Sequence, residues 1–261
     1  MPTYYRALSV LRNDPTAQPT WVPDLEIEED DAFIEMGLID ESQRNAEYAT
    51  CEPGEVLAGA SWPCRLFVVE PCGEPFASQI ESHLTGCAQW NIVAEVDPWR
   101  AFGPNGKAVL TLLDQIQNLT DAQAEAIVRA GDVLCNARGN FVGDIAGDAA
   151  TLLLETATRE IALDTAASAN REAAYFAAVE AVYEATTARA LAESVPITRG
   201  TAPLAPGMDT STNTIWGVAQ VSAMDAVRAL VVADLLPQEH FVTLAAPWPS
   251  IMWPWIAAAA S

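Results

Sequence analysis

Lysine is almost missing from this chain. Lys107 stands alone beside twelve arginines. The two residue types carry the same charge, so the skew reflects coding by a GC-rich genome rather than chemistry. Basic residues of either kind are scarce: 13 against 35 acids, a net charge of −22. The imbalance runs along the whole chain, with 18 acids to 6 bases in residues 1–110 and 17 to 7 in residues 111–261. Such a chain repels nucleic-acid phosphates and anionic lipid, so direct nucleic-acid or membrane binding is disfavoured and a basic protein partner is favoured. The plainer role of the acids is to keep an alanine- and tryptophan-rich protein in solution.

Long apolar runs are also lacking. No stretch of about 18 strongly apolar residues is available to span a bilayer. Met1-Pro-Thr-Tyr-Tyr-Arg6 has neither the basic start nor the apolar run of a secretory signal. The expectation is a cytoplasmic protein, with virion association as a further option. Phosphate-cradling glycine patterns are absent: Gly139, Gly143 and Gly147 are spaced too widely for such a loop. No cofactor is expected.

Cysteine and histidine are few. Five cysteines, an odd number, suit reduced thiols rather than a disulfide framework. Cys51, Cys64, Cys72 and Cys87 fall in the N-terminal half, and His83 precedes Cys87 by four residues. Structural zinc takes four thiolate or imidazole ligands, usually from close pairs. No Cys-x-x-Cys occurs, so these five residues are weak metal candidates and buried thiols are the simpler reading. Only His83 and His240 offer an imidazole base, and Cys87 with His83 is the one conceivable nucleophile pair. Glu28, Glu29, Asp30 and Asp31 form an acidic run without the glycine and terminal glutamate of a calcium loop. A solvated charge run leading into a short helix, or a contact for a basic partner, accounts for it.

What is abundant is alanine. Asp148 to Glu193 contains no Gly or Pro and reads as helix throughout. Unbroken, it would be on the order of 65–70 Å long, so one break is expected, best placed at Ser168-Ala169-Asn170, where Ser or Asn caps a new helix. Phe176, Val179 and Tyr183 share one face of it, with Val182 beside them, and Glu172, Glu180 and Glu184 share another. Lys107–Gln117 predicts a helix with Val109, Leu112, Leu113 and Ile116 on one side. Thr120-Asp-Ala-Gln123 is a capping box opening a helix to about Cys135. Thr214–Leu236 predicts another, with Val218, Val221, Met224, Val227, Leu230 and Val231 as its apolar side. A short last helix follows Pro237 and runs through Leu244.

The first half predicts strands at 3–12, 65–70 and 91–96, a weaker one at Glu55–Ala58, and a short helix over Phe76–Leu84. The fold class is therefore α+β. A small mixed sheet with short helices occupies residues 1–118. An alanine-rich helical bundle occupies 119–261, interrupted by a loop at 196–214. Trp248, Trp253 and Trp255, interleaved with prolines, make an aromatic C-terminal patch: a cover for the helical layer, or an interaction site.

Trp62-Pro-Cys-Arg-Leu-Phe-Val-Val-Glu-Pro71, Val96-Asp-Pro-Trp-Arg-Ala-Phe-Gly-Pro-Asn-Gly106 and Val232-Ala-Asp-Leu-Leu-Pro-Gln-Glu-His-Phe-Val-Thr-Leu-Ala-Ala-Pro-Trp248 resemble blocks of an uncharacterised alanine-rich group encoded by actinobacteria and their phages. Relatives in that group carry tandem Asp-Ala-Ala-Arg and Asp-Ala-Ala-Trp units between the second and third blocks. Here only Asp148-Ala-Ala remains, and no tryptophan lies between Trp99 and Trp216. The resemblance implies a phage or actinobacterial origin and carries over no catalytic residue. Three functions are consistent with the sequence: a non-enzymatic acidic binding protein acting on a host protein as an anti-defence inhibitor, in its sharpest form a nucleic-acid mimic; a virion or assembly component that self-associates as a homo-oligomer; and an enzyme with its site in the N-terminal half.

Overall fold

The computed structural model describes residues 2–9, 21–22, 46–57, 62–78, 82–139, 145–194 and 210–248. The chain divides into two compact units, Met1–Gly103 and Pro104–Ser261. The α+β class is as expected, but the boundary falls before the helix at 106–117 rather than after it. That helix packs on its helical neighbours: Val109, Leu112, Leu113 and Ile116 are fully buried there.

The first unit is an antiparallel sheet: β1 Tyr4–Ser9, β2 Trp21–Val22, β3 Glu47–Thr50, β4 Cys64–Pro71, β5 Phe76–Ala77, β6 Leu84–Cys87 and β7 Trp90–Val96. The order is β5-β6-β3-β1-β4-β7, and β2 pairs with the second half of β1. β1 and β4 form its centre, in register from Tyr4↔Val69 to Ser9↔Cys64. Side chains alternate between faces. One face therefore gathers Tyr4, Leu8, Ala49, Phe67, Val69, Cys87 and Trp90 into a core. The Tyr4 and Trp90 rings lie 5.0 Å apart, and Trp90 Nε1 donates to the Glu47 carbonyl at 2.9 Å. Arg6 is buried on this face and pairs with Glu47. The opposite face carries the fully buried Ala7 and Leu66. Two 3-10 turns, Glu55–Leu57 and Pro98–Phe102, lie against β1 and β4, with Val56 and Phe102 buried.

Two local expectations fail here. Residues 55–57 form a turn, not a strand, because Glu55 N–H donates to the Glu52 carbonyl and Thr50 Oγ1 donates to the Glu55 carboxylate at 2.6 Å. Phe76 begins a strand rather than a helix. It pairs with Gly86, where a Cβ would fall 2.4 Å from the Phe76 ring, so only glycine lets the ring lie across the sheet.

The second unit is helical: α1 Gly106–Gln117, α2 Asp121–Gly139, α3 Ile145–Ser168, α4 Glu172–Ser194, α5 Thr210–Val231 and α6 Gln238–Ala245. α5 is its hub and touches the other five. The capping box forms reciprocally: Thr120 N–H donates to Gln123 Oε1 at 2.9 Å, and Gln123 N–H to Thr120 Oγ1 at 3.3 Å. The alanine-rich stretch breaks where expected, by a different device. Asn170 has φ 56°, Arg171 N–H donates to the Ala166 carbonyl at 2.7 Å, and Asn170 N–H to the Ala167 carbonyl at 3.1 Å. This is the Schellman termination of α3, with Asn in place of the usual Gly, rather than an N-cap of α4.

Alanine forms the core of this unit. α4 buries Ala174, Ala177, Ala178, Ala181 and Ala185, with Tyr175 and Val182. α5 buries Ala219, Ala223, Ala226 and Ala229, with Trp216, Val227, Leu230 and Val231. These two helices make the most extensive helix–helix contact in the molecule. Small side chains at such a contact bring helix axes to the near end of the usual 8–10 Å range. Of the bulkier residues expected on the apolar sides, Val182, Val227, Leu230 and Val231 are buried, but others lie outside the contact. Phe176 (47%), Tyr183 (45%), Val218 (42%) and Val221 (48%) are exposed.

Candidate protein-interaction surface

Four described arginines of the helical unit, Arg159, Arg171, Arg189 and Arg228, are engaged within it. Arg159 on α3 makes a two-pronged pair with Asp225 on α5, at 2.7 and 2.6 Å, and Arg228 reaches the same carboxylate at 2.7 Å. Glu155 lies 3.6 Å from Arg159 and completes a cluster of two bases and two acids. Tyr175 is buried beside it, and that burial pushes its phenol above the ordinary range. Arg171 grips Asp234 through both nitrogens and donates to the Val231 carbonyl at 3.1 Å. Asn105 donates to the same carbonyl at 3.3 Å and to Asp234 at 2.6 Å. The last turn of α5 is thus capped by cationic and amide donors. The Arg171 hydrogen bond, helped by Asn105, draws the Asp234 carboxyl down to about 2. Arg189 Nε donates to the Leu119 carbonyl at 2.6 Å.

The outward face of α4 is left acidic as a result. The aromatic and glutamate faces expected separately adjoin: Glu172, Phe176, Val179, Glu180, Tyr183 and Glu184 recur at intervals of three and four on one broad side, with the buried Ala174, Ala178, Ala181 and Ala185 opposite. Among the described residues, no arginine or lysine pairs with Glu172, Glu180 or Glu184. Partial burial, and then the like charge of Glu180, raise the Glu184 carboxyl above its ordinary value. A cation laid along this face would relieve that repulsion, and the two exposed rings would give its apolar portions a seat.

A second concavity in the same unit, about 690 Å³, lies between α1, α2 and the end of the described chain. Leu119, Ile127 and Trp248 supply apolar wall and Asp114 a carboxylate. Trp248 is 4% exposed and its Nε1 donates to Ser222 Oγ at 3.2 Å, so this tryptophan is part of the helical packing. Trp253 and Trp255 lie outside the described residues, as do Glu28, Glu29, Asp30 and Asp31.

The cysteine and histidine candidates are dispersed. Cys64 and Cys87 are buried free thiols on opposite faces of the sheet; Cys51 and Cys72 are exposed free thiols. Burial pushes the Cys64 thiol up to about 12, and burial with Glu52 and Glu55 nearby raises Cys51, the reverse of activation. His83 precedes β6 and Cys87 ends it. Four steps of extended strand separate them by roughly 13 Å, beyond hydrogen-bond reach. Among the described residues no three His, Cys, Asp or Glu side chains gather as metal ligands. Also among these residues, no helix is long and apolar enough to cross a membrane.

The acid-and-aromatic face of α4 was only half visible in the sequence. The spacing placed Phe176 with Tyr183 but did not say which side faces water. The signal that could have found it is the denser alanine stripe opposite. Compared with protein-family models, with curated proteins and with solved structures, the chain gives no match.

Proposed function

We propose that this protein is a non-enzymatic acidic binding protein, of phage or actinobacterial origin, whose partner is a basic host protein that it inhibits in the cytoplasm. One observation carries the reading: the arginines around α4 are spent in internal pairs, while Glu172, Glu180 and Glu184 stand without a cationic partner among the described residues beside exposed Phe176 and Tyr183. Solubility alone calls for exposed carboxylates. It does not call for two exposed aromatic rings set among them.

The test is capture from an actinobacterial lysate on immobilised protein, eluted by rising salt, followed by titration of the purified partner. A basic protein should elute as screening strengthens, and F176A/Y183A with E180Q/E184Q should weaken its binding at least tenfold. Recovery of no salt-eluted partner, or a partner indifferent to all four substitutions, would refute the reading.

A further inference from the structure

We infer that β7 is a docking edge, on which an extended basic segment of the partner adds to the sheet as a further strand. This rests on the reading that the partner is a basic protein.

β7 is the last strand in the sheet order. β4 occupies one of its edges, and among the described residues no strand occupies the other. Among the described residues, its outer row of backbone donors and acceptors is therefore left for pairing. Its side chains are open as well. The five consecutive residues Asn91–Glu95 are exposed, Ile92 at 54% and Val93 at 53%, so neither face of this part of the strand is covered by a packing layer. Exposed edges are commonly guarded by lysine, proline or inward-pointing charge, and β7 contains no lysine or proline. Its one charged residue, Glu95, is held sideways by Arg65 on β4 at 2.8 and 2.6 Å. Branched apolar residues on an open edge provide what strand addition uses: main-chain bonds for affinity and alternate side chains for selectivity.

Charge selects the occupant. Each described arginine of this unit is engaged: Arg6 with Glu47, Arg65 with Glu95, and Arg100 over the Trp99 ring. Glu70, opposite Asn91 on β4, is exposed, and Asp97 follows β7 directly; among the described residues neither has an arginine or lysine partner. An added strand would lie about 10 Å from Glu70, close to one Debye length at moderate salt. Lysine or arginine alternating with apolar residues fits this field. A second copy of the chain does not, since each copy carries −22. The bulge at Val93, between Ala94 opposite Val68 and Ile92 opposite Val69, interrupts the edge for any added strand, so pairing is expected on either side of it rather than across it.

The probe is an eight-residue peptide of alternating lysine and valine, compared with the same peptide N-methylated at alternate residues. The methyl groups remove strand pairing and leave the charge. Binding is read by amide chemical shifts and hydrogen exchange on the whole protein. The expected result is shifted and protected amides on either side of Val93 within Ile92–Val96, at least tenfold weaker binding of the methylated peptide, and a similar loss in I92K/A94K, whose fold is checked by circular dichroism. Equal binding of both peptides, or shifts confined to Phe176–Glu184, would overturn the edge while leaving the acidic-binder reading in place. No binding of either peptide anywhere on the protein would count against both. Dimerisation abolished by I92K would overturn the inference in favour of a second copy.

Discussion

In the sheet unit, apart from Ile92 and Val93 on the β7 edge, large side chains mark the inside. Phe67, Val69 and Trp90 are buried on one face and Leu66 on the other. In the helical unit the rule weakens around α4 and α5, where buried alanines share the contact with Tyr175, Val182, Trp216, Val227, Leu230 and Val231. Alanines are buried to within a few per cent, while Phe176, Tyr183, Val218 and Val221 stay exposed. The cause is geometric. A strand presents each side chain to a partner layer about 10 Å away, a gap that only bulk can fill. Two helices can approach until their backbones nearly touch, and then only a methyl group fits. Helix stability there comes from propensity and close contact, and the bulky residues are released to the surface.

The comparison can be broken most sharply at its extremes. Phe67→Ala in the sheet core should cost about 3–5 kcal/mol in denaturant unfolding, through lost burial and the cavity left behind. In the helical unit the matching large effect should come from charge instead of bulk. Asp225→Asn leaves Arg159 and Arg228 without their shared carboxylate and should cost about 3 kcal/mol by the same measurement. Asn170→Ala forces a side chain with a Cβ and no local hydrogen bond into the left-handed region and should cost about 1–2 kcal/mol, whereas Asn170→Gly should be neutral or slightly stabilising.

The smallest effect is electrostatic. Asp234 titrates near 2 in the folded protein against an ordinary value of 3.8. A lowered folded value means that its stabilisation is complete above the unfolded value and disappears as pH falls through the folded one. Asp234 is 42% exposed, so the ion pair is worth less than about 1 kcal/mol. The stability gap between wild type and Arg171→Ala should be constant above about pH 5, narrow between about pH 4 and pH 2, and vanish below. A gap unchanged at pH 2 would assign the role of Arg171 to its bond with the Val231 carbonyl.

Much of this arrangement was legible in the residues. Thr120 and Gln123 announced a helix start because a capping box is a local device. Val109, Leu112, Leu113 and Ile116 announced a buried face because α1 is amphipathic in the ordinary sense. The break near Asn170 was visible because Ser and Asn cap helix starts, although what forms there is a left-handed Asn170 closing the preceding helix. What stayed hidden depends on partners distant in sequence. Phe76 reads as helix until Gly86 lies across from it. Asp225 reads as an interruption of an apolar stripe until Arg159, 66 residues away, is in hand. The outward Phe176 and Tyr183 were invisible to hydrophobicity, which ranks them above alanine for burial.

The contact between α4 and α5 is held largely by alanine, with the aromatic and acidic face of α4 left free. Unfolding free energies of Ala223→Leu and Phe176→Ala, measured side by side, test it most directly. Ala223→Leu should lose about 1–3 kcal/mol, from overpacking, and Phe176→Ala should change stability by no more than about 0.5 kcal/mol, as for a surface residue. A large loss for Phe176→Ala with Ala223→Leu tolerated would contradict it.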